Sequence, residues 1–521
     1  MTEHEKAAQK KNVILIFSTL MVTMLLASLS QMVFSSALPT IVGELNGVDH
    51  MAWVITAYML ASTIMMPVYG KVSDIFGRKP LLIAAISLFI IGSIIGAMAQ
   101  SMEWLIAARV IQGLGGGGLM ILSQAAVADI VPARRRGKYM GIMGGVFALS
   151  SVAGPLLGGW LTEGAGWRWA FLINIPLGIL ALASVIGLMW LPKKVLRARP
   201  KLDYSGMALL AISTSAFILA TTWGGSTYTW ESPQIISLIV VALVGALLFV
   251  FNEQRVAEPI IPLRLFKESN FVLTTIAAAL ISVAMFGAIG YMPTYFQMAV
   301  GASASTAGLL MAPMMGSLLL TSVISGAVVS KTGKYKLFPI LGSVILALGL
   351  GLLSTIEIAT PTIVVCGFMM IIGVGLGASL QILTLIVQNS FAHKVVGTAT
   401  AANNFFRQVG ASFGTAVVGS VFATSLTKIL DDKFAGTDGQ MPGMDSLTPT
   451  LVGSLPDAVR LPIIEAYNSA LIPIFAYLVP LALVAGVVLL FVREKPLAET
   501  VEHDVSAESL AEGQLTISSK N

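Results

Sequence analysis

An aspartate set between glycines and followed by an arginine, in a loop joining two apolar runs, is equipped to accept charge-assisted hydrogen bonds. The stretch from Gly70 to Pro80 reads GKVSDIFGRKP and places Gly70, Asp74, Gly77 and Arg78 in that order. The glycines permit a tight turn and close helix approach, and Asp74 can take donors from a helix N-terminus or from an arginine across the loop. Arg134, Arg135 and Arg136 follow Asp129 at the end of the fourth apolar run and are placed to supply that arginine. Gly70, Asp74, Gly77, Arg78 and Arg135 together would form a latch that holds one face of the molecule shut and breaks when it opens. For Lys71, Arg78 and Lys79 the plain alternative is that they only mark the inner side of a membrane.

Arg109 is the second pointer. A guanidinium in the middle of an apolar span costs about 2.5 to 3.5 kcal/mol to insert, so it is expected to face an aqueous cavity and do work there. Gln112, one turn on, shares its helix face. Arg407 lies with Asn403 and Asn404 in a late span, and Gln381 and Gln388 lie in the span before it. These five, with Gln31, Tyr58 and Gln112, are candidates to line a substrate cavity, and a purely structural interhelical network is the competing explanation. Groups that could bind and release a proton are Arg109 acting with Asp74, Glu103 or Asp129; no acid falls near the middle of any span.

These residues must be positioned by membrane helices. The chain of 521 residues is 56% hydrophobic and 11% charged, with a mean hydropathy of +0.86, whereas soluble domains carry about 25% charge. Fourteen runs are long enough for a crossing of about 20 residues. They group as a cytoplasmic N-terminus 1–12, a six-helix bundle 13–191, two inserted helices 204–222 and 234–252, a second six-helix bundle 271–493, and a disordered tail 494–521. The outer loop 427–469 reads as a flexible connector followed by a segment, LPDAVRLPIIEAYNSAL, suited to an amphipathic helix lying on the membrane. The first run continues past a signal-peptide core and is expected to be an uncleaved span. With the N-terminus inside, 25 Lys and Arg fall in inner segments and four outside, which predicts that both termini are cytoplasmic. The basic balance is thereby explained without a nucleic-acid partner. Cys366 alone cannot make a disulfide framework, and the four histidines are scattered, so no metal site, cofactor or enzymatic pair is expected.

The chain repeats itself. Leu38-Pro39-Thr40 returns as Met292-Pro293-Thr294, 254 residues on, and Gly70 and Gly77 return as Gly326 and Gly333, 256 on. Gly113, Gly115 and Gly117 match Gly373, Gly375 and Gly377, and Gly154 and Gly159 match Gly414 and Gly419, at 260. A near-constant offset implies two related six-helix halves with a polar path between them. Gly113, Gly117, Gly154, Pro155, Gly158 and Gly159 are expected to let helices pack closely and bend. The position corresponding to Arg109 is Met369, so the fold itself does not demand the charge.

The loop GKVSDIFGRKP, the run RVIQGLGGGG, the segment AGPLLGG and the entry WRWAFLINIPLG resemble, in order and position, the motifs of the major facilitator superfamily. With fourteen spans the chain looks like its drug:proton antiporter group. That resemblance implies an all-α integral membrane fold of fourteen transmembrane helices in a 6 + 2 + 6 arrangement. It implies proton-driven export of amphipathic small molecules by a monomer in the bacterial cytoplasmic membrane, with Arg109 in proton coupling. A specific exporter or flippase of an endogenous metabolite or lipid is the alternative. Relatives usually carry an aspartate in the first span, where this chain reads Leu29-Ser30-Gln31-Met32. The missing carboxylate favours neutral, zwitterionic or anionic substrates and leaves the proton carrier open.

Overall fold

Long apolar runs cannot leave backbone groups unpaired in lipid, and they resolve as helices. The computed structural model describes residues 3–45, 50–189, 202–225, 227–434 and 449–499. Its helices in the first half are α1 (Glu3–Glu44), α2 (Met51–Phe76), α3 (Arg78–Ala97), α4 (Met102–Ile130), α5 (Ala133–Gly164), α6 (Trp169–Leu172) and α7 (Asn174–Leu188). Between the halves lie α8 (Tyr204–Trp223) and α9 (Pro233–Arg255). The second half contains α10 (Ser269–Ile289), α11 (Met292–Ala299), α12 (Ala304–Leu310), α13 (Ala312–Thr332), α14 (Leu337–Leu353), α15 (Thr362–Asn389), α16 (Val396–Phe434), α17 (Pro449–Ser454) and α18 (Asp457–Leu490). Thirteen stretches are long and apolar enough to cross a membrane, and the 17-residue α14 is a shorter fourteenth apolar helix. No strand forms among the described residues.

Local chemistry sets several boundaries. Ser101 caps α4 by accepting from Trp104 N, Ser232 caps α9 just ahead of Pro233, and Asp203 caps α8 through Gly206 N. Gly77 separates α2 from α3 with φ 92°, a conformation that favours glycine.

In the first half α1 packs on α5, α2 and α3 pack on α4, and α7 packs on α1 and α3. In the second, α10 packs on α16 and α18, α13 on α15, and α14 on α15 and α18. The inserted pair α8 and α9 packs on itself and leans through α8 on α2 and α16. Two extensive contacts join the halves, α5 with α13 and α2 with α16.

Three expectations need correction. The segment expected to lie on the membrane is instead the start of α18, which runs unbroken through Pro462, Pro473 and Pro480. Residues 427–434 continue α16 as helix, while 435–448 lie outside the described residues. The tail expected to be disordered from 494 is packed as far as it is described: Leu497 is buried and Glu494 and Lys495 are hydrogen-bonded. Residues 500–521 lie outside the described residues.

Candidate functional site

The loop between α2 and α3 lands on the start of α16. Asp74 Oδ2 accepts from Thr398 N at 2.7 Å and from Thr398 Oγ1 at 2.6 Å, while Oδ1 accepts from Arg78 Nη2 at 2.6 Å. Arg78, buried, also donates to Ser73 Oγ and, through Nε at 3.1 Å, to Asp129 Oδ2 at the end of α4. His393 Nε2, from the turn before α16, stands 3.4 Å from Asp129 Oδ1. Gly70 lies against Gly397 and Ala401 of α16, where a Cβ would meet Gly397 O at 3.0 Å. An anionic carboxylate on a first-turn amide of a helix is stabilised by the helix dipole as well as by its hydrogen bonds.

The arginine expected to partner Asp74 came from the wrong place. Arg78 of the same loop fills that role. Arg135 is exposed, Arg136 donates to Val131 O and Ala128 O at the end of α4, and Arg134 donates to Ser330 O and Lys331 O at the end of α13.

The second copy of the motif makes the mirror contact. Gly326 on α13 crosses Gly137 on α5 with the backbones touching; a Cβ on Gly137 would stand 2.8 Å from Gly326 O. Ser330 lies 256 residues after Asp74, and Lys138 lies 260 before Thr398. Ser330 Oγ accepts from Lys138 N at 3.0 Å, a matching bond to an amide in the second turn of α5, without the charge.

Deeper in, an uncharged layer joins the halves. Asn404 Nδ2 donates to Gln124 Oε1 at 3.0 Å and to Thr400 O at 2.9 Å, and Gln388 Nε2 donates to Gln124 O at 3.3 Å. The backbone acceptors orient both amides, which leaves Asn404 Oδ1, Gln388 Oε1 and Gln124 Nε2 buried with no protein partner. Gln381 is half-buried beside Gly144, its Oε1 also unpartnered.

About 22 Å along α4 from Gln124, taking 1.5 Å per residue, lies Arg109. Its guanidinium sits between the rings of Phe34 and Tyr58, 4.4 and 4.3 Å from their centroids. Nε donates to Val54 O at 3.2 Å and Nη1 to Gln112 Oε1 at 2.6 Å. Gln112 Nε2 donates to Ser93 Oγ and Ser30 Oγ, and Asn174 Nδ2 donates to Ser30 Oγ. A cation is thus held by ring faces, an amide and a carbonyl, and the Ser30 position is wired into the same network.

A sequence profile of the Major Facilitator Superfamily matches residues 20–415. The chain belongs to this superfamily. It is similar to an uncharacterised MFS-type transporter of Mycobacterium tuberculosis, 38% identical over 96% of this chain and 72% of that one. It is also similar to two proteins of Bacillus subtilis. The multidrug transporter protein MdtP is 35% identical over 91% of this chain and 89% of its own. Multidrug resistance protein 3 is 32% identical over 96% and 98%. Among solved structures, the proton:xylose symporter XylE superposes with a TM-score of 0.59 at 16% identity, covering 96% of this chain and 99% of its own, and so shares the fold.

In this superfamily member the candidate residues separate into groups. Gly70, Asp74, Gly77, Arg78 and Asp129 meet at one crossing, and Arg109, Gln112 and Tyr58 meet in another cluster. Gln388 and Asn404 meet in the amide layer, while Asn403 Nδ2 turns to Thr275 Oγ1 of α10 at 3.1 Å. Arg407 is half-buried on α16, and Gln31 and Glu103 are exposed, Glu103 in the first turn of α4. Gly113 and Gly117 seat α4 on α2, where a Cβ on Gly113 would stand 2.6 Å from Tyr58 O. Gly154 abuts Met32 of α1, Pro155 approaches Gly308 of α12, Gly158 is buried, and Gly159 packs loosely near Ser305. Sequence reasoning missed Thr398, His393, Gln124 and Ser330. Applying the 256- and 260-residue offsets to Asp74 and Lys138 would have found Ser330 and Thr398.

Proposed function

We propose that this transporter is a proton-driven exporter of amphipathic small organic molecules, of the fourteen-helix drug:proton antiporter group typified by EmrB and QacA. In this reading it works by alternating access as a monomer in a bacterial cytoplasmic membrane. The face closed by the two glycine crossings is the cytoplasmic one, in keeping with 25 inner bases against four outer. The observation that carries the reading is Asp74 on Thr398. A carboxylate of one half holding the helix start of the other is a contact that exists only while that face is shut. Relatives named as a multidrug transporter and as an efflux pump support export as the direction.

A proton crossing the membrane potential yields about 2.3 kcal/mol per 100 mV, usable only if some group binds it in one state and releases it in the other. Asp74 and Asp129 are the acids whose contacts to the second half, with Thr398 and His393, break when the face opens. Arg109 shifts the balance from the far end of α4. Its sandwich of rings with no acid at Ser30 suits neutral, zwitterionic or anionic substrates over lone cations. Drug accumulation in a pump-deficient host, with and without a protonophore, tests this. Export of several unrelated amphiphiles that collapses with the protonophore is expected. Protonophore-insensitive export would remove the proton, and movement of a single metabolite or lipid would favour the specific exporter or flippase.

A further inference from the structure

Beyond α18 the chain does not leave the surface. Val492 is buried, and Arg493 forms a two-way pair with Asn270 at the start of α10: Arg493 N donates to Asn270 Oδ1 at 2.9 Å and Asn270 Nδ2 to Arg493 O at 2.8 Å. Glu494 Oε1 then accepts from Tyr335 N and Lys336 N, at 2.7 and 3.3 Å, the free amides ahead of α14. Lys495 N donates to Tyr335 Oη at 2.6 Å, and Lys495 Nζ pairs with Glu268 at 2.9 Å. Asn389, the last residue of α15, donates to Lys495 O and Pro496 O. Leu497 is 5% exposed. Up to this point every named partner belongs to the second half.

The next residue crosses over. Ala498 O accepts from Arg134 N at 2.9 Å, an amide in the first turn of α5 that no helical carbonyl can satisfy. Arg134 is also the residue whose guanidinium reaches Ser330 O and Lys331 O, so the segment ends beside the crossing of α5 and α13.

We infer that the groove running past the starts of α10 and α14 and the end of α15 is a docking site for residues 492–498 of this chain. The docked segment is a strap: anchored on the second half, it laps onto α5 while the face is shut and must release α5 each time the face opens. The bonds divide unevenly, many to the second half and one backbone bond to the first, so the strap travels with the second half and parts at Arg134. The opening step rests on the alternating-access reading; the docking does not.

The test uses the full chain in membrane vesicles with Cys366→Ser. Arg135→Cys and Ala498→Cys are joined by a short, reducible bis-methanethiosulfonate linker. Asn389→Cys with Pro496→Cys, both ends on one half, is the matched control. Linked peptides are identified by mass spectrometry, and export of the neutral dye Nile red is followed before linking, after linking and after reduction. Expected are linkage of both pairs, loss of export in the first pair alone, and recovery on reduction. Failure of Arg135→Cys and Ala498→Cys to link would overturn the docking. Linkage with export kept, or equal loss in the control pair, would overturn the release step. If the reduced variants and the wild-type chain all leave the dye in place, the exporter reading fails for this probe, and linkage of both pairs still upholds the docked strap.

Discussion

Asp74→Asn isolates the charged crossing. The wild-type carboxylate gives one oxygen to Thr398 N and Oγ1 and the other to Arg78. Asparagine keeps one acceptor and turns an NH2 toward either Arg78 or the Thr398 amide, donor against donor. Hydrogen bonds to a charged group contribute about 1.5 to 3 kcal/mol and neutral ones about 0.5 to 1.5. Replacing the two charge-assisted bonds from Thr398 by one neutral bond across the halves costs the shut face about 2 kcal/mol at the low end of these ranges. At 1.4 kcal/mol per tenfold, the open population rises roughly 30-fold. Hydrogen–deuterium exchange at Thr398 reads this directly, because its first-turn amide is held by Asp74 only while the face is shut. Exchange should accelerate by roughly the same factor while expression and helix content hold. Unchanged protection there, with unchanged export, would refute the latch.

Arg109→Ala should abolish driven export in protein that remains stable in detergent, whereas Arg407→Ala, on a half-buried side chain, should be milder and vary with substrate. Ser30→Asp should place a carboxylate among Gln112 and Asn174, raising export of lipophilic cations relative to neutral dyes in a competition assay. At the other face Arg168 and Trp167 donate to Glu44, and the Arg168 bond foremost holds its carboxyl below the ordinary value of 4.5. A lowered carboxyl stabilises above its unfolded value and loses that contribution as pH falls through the folded one. Thermal stability of Glu44→Gln should therefore differ from wild type at neutral pH and converge with it below pH 4.5.

Span count and the close helix approaches were legible because apolar length and small residues act locally. What joins the halves was not, because it depends on which loop meets which helix start. Three neighbouring arginines after Asp129 looked like partners for Asp74, yet each is spent on a carbonyl or on solvent, while Arg78, four residues along the same turn, is the closer donor. The segment LPDAVRLPIIEAYNSAL has the pattern of a surface helix, but apolar neighbours carry α18 straight on from it through Pro462, Pro473 and Pro480. His393 was set aside as one of four scattered histidines; only the return of α16 to the end of α4 brings it to Asp129.

The two crossings carry one design in two materials. Gly70 on Gly397 with Asp74 on Thr398 is fastened by a carboxylate; Gly326 on Gly137 with Ser330 on Lys138 is fastened by a hydroxyl and by Arg134 on two carbonyls, and is overlaid by the strap. An anionic carboxylate crosses between the halves at the first and none at the second, so ionic strength weighs more on the first. The halves should then part like a door, not a drawer: the α2–α16 flank swings first, the α5–α13 flank serves as the jamb, and a molecule entering from the inner side meets a wedge-shaped mouth before a full-width one.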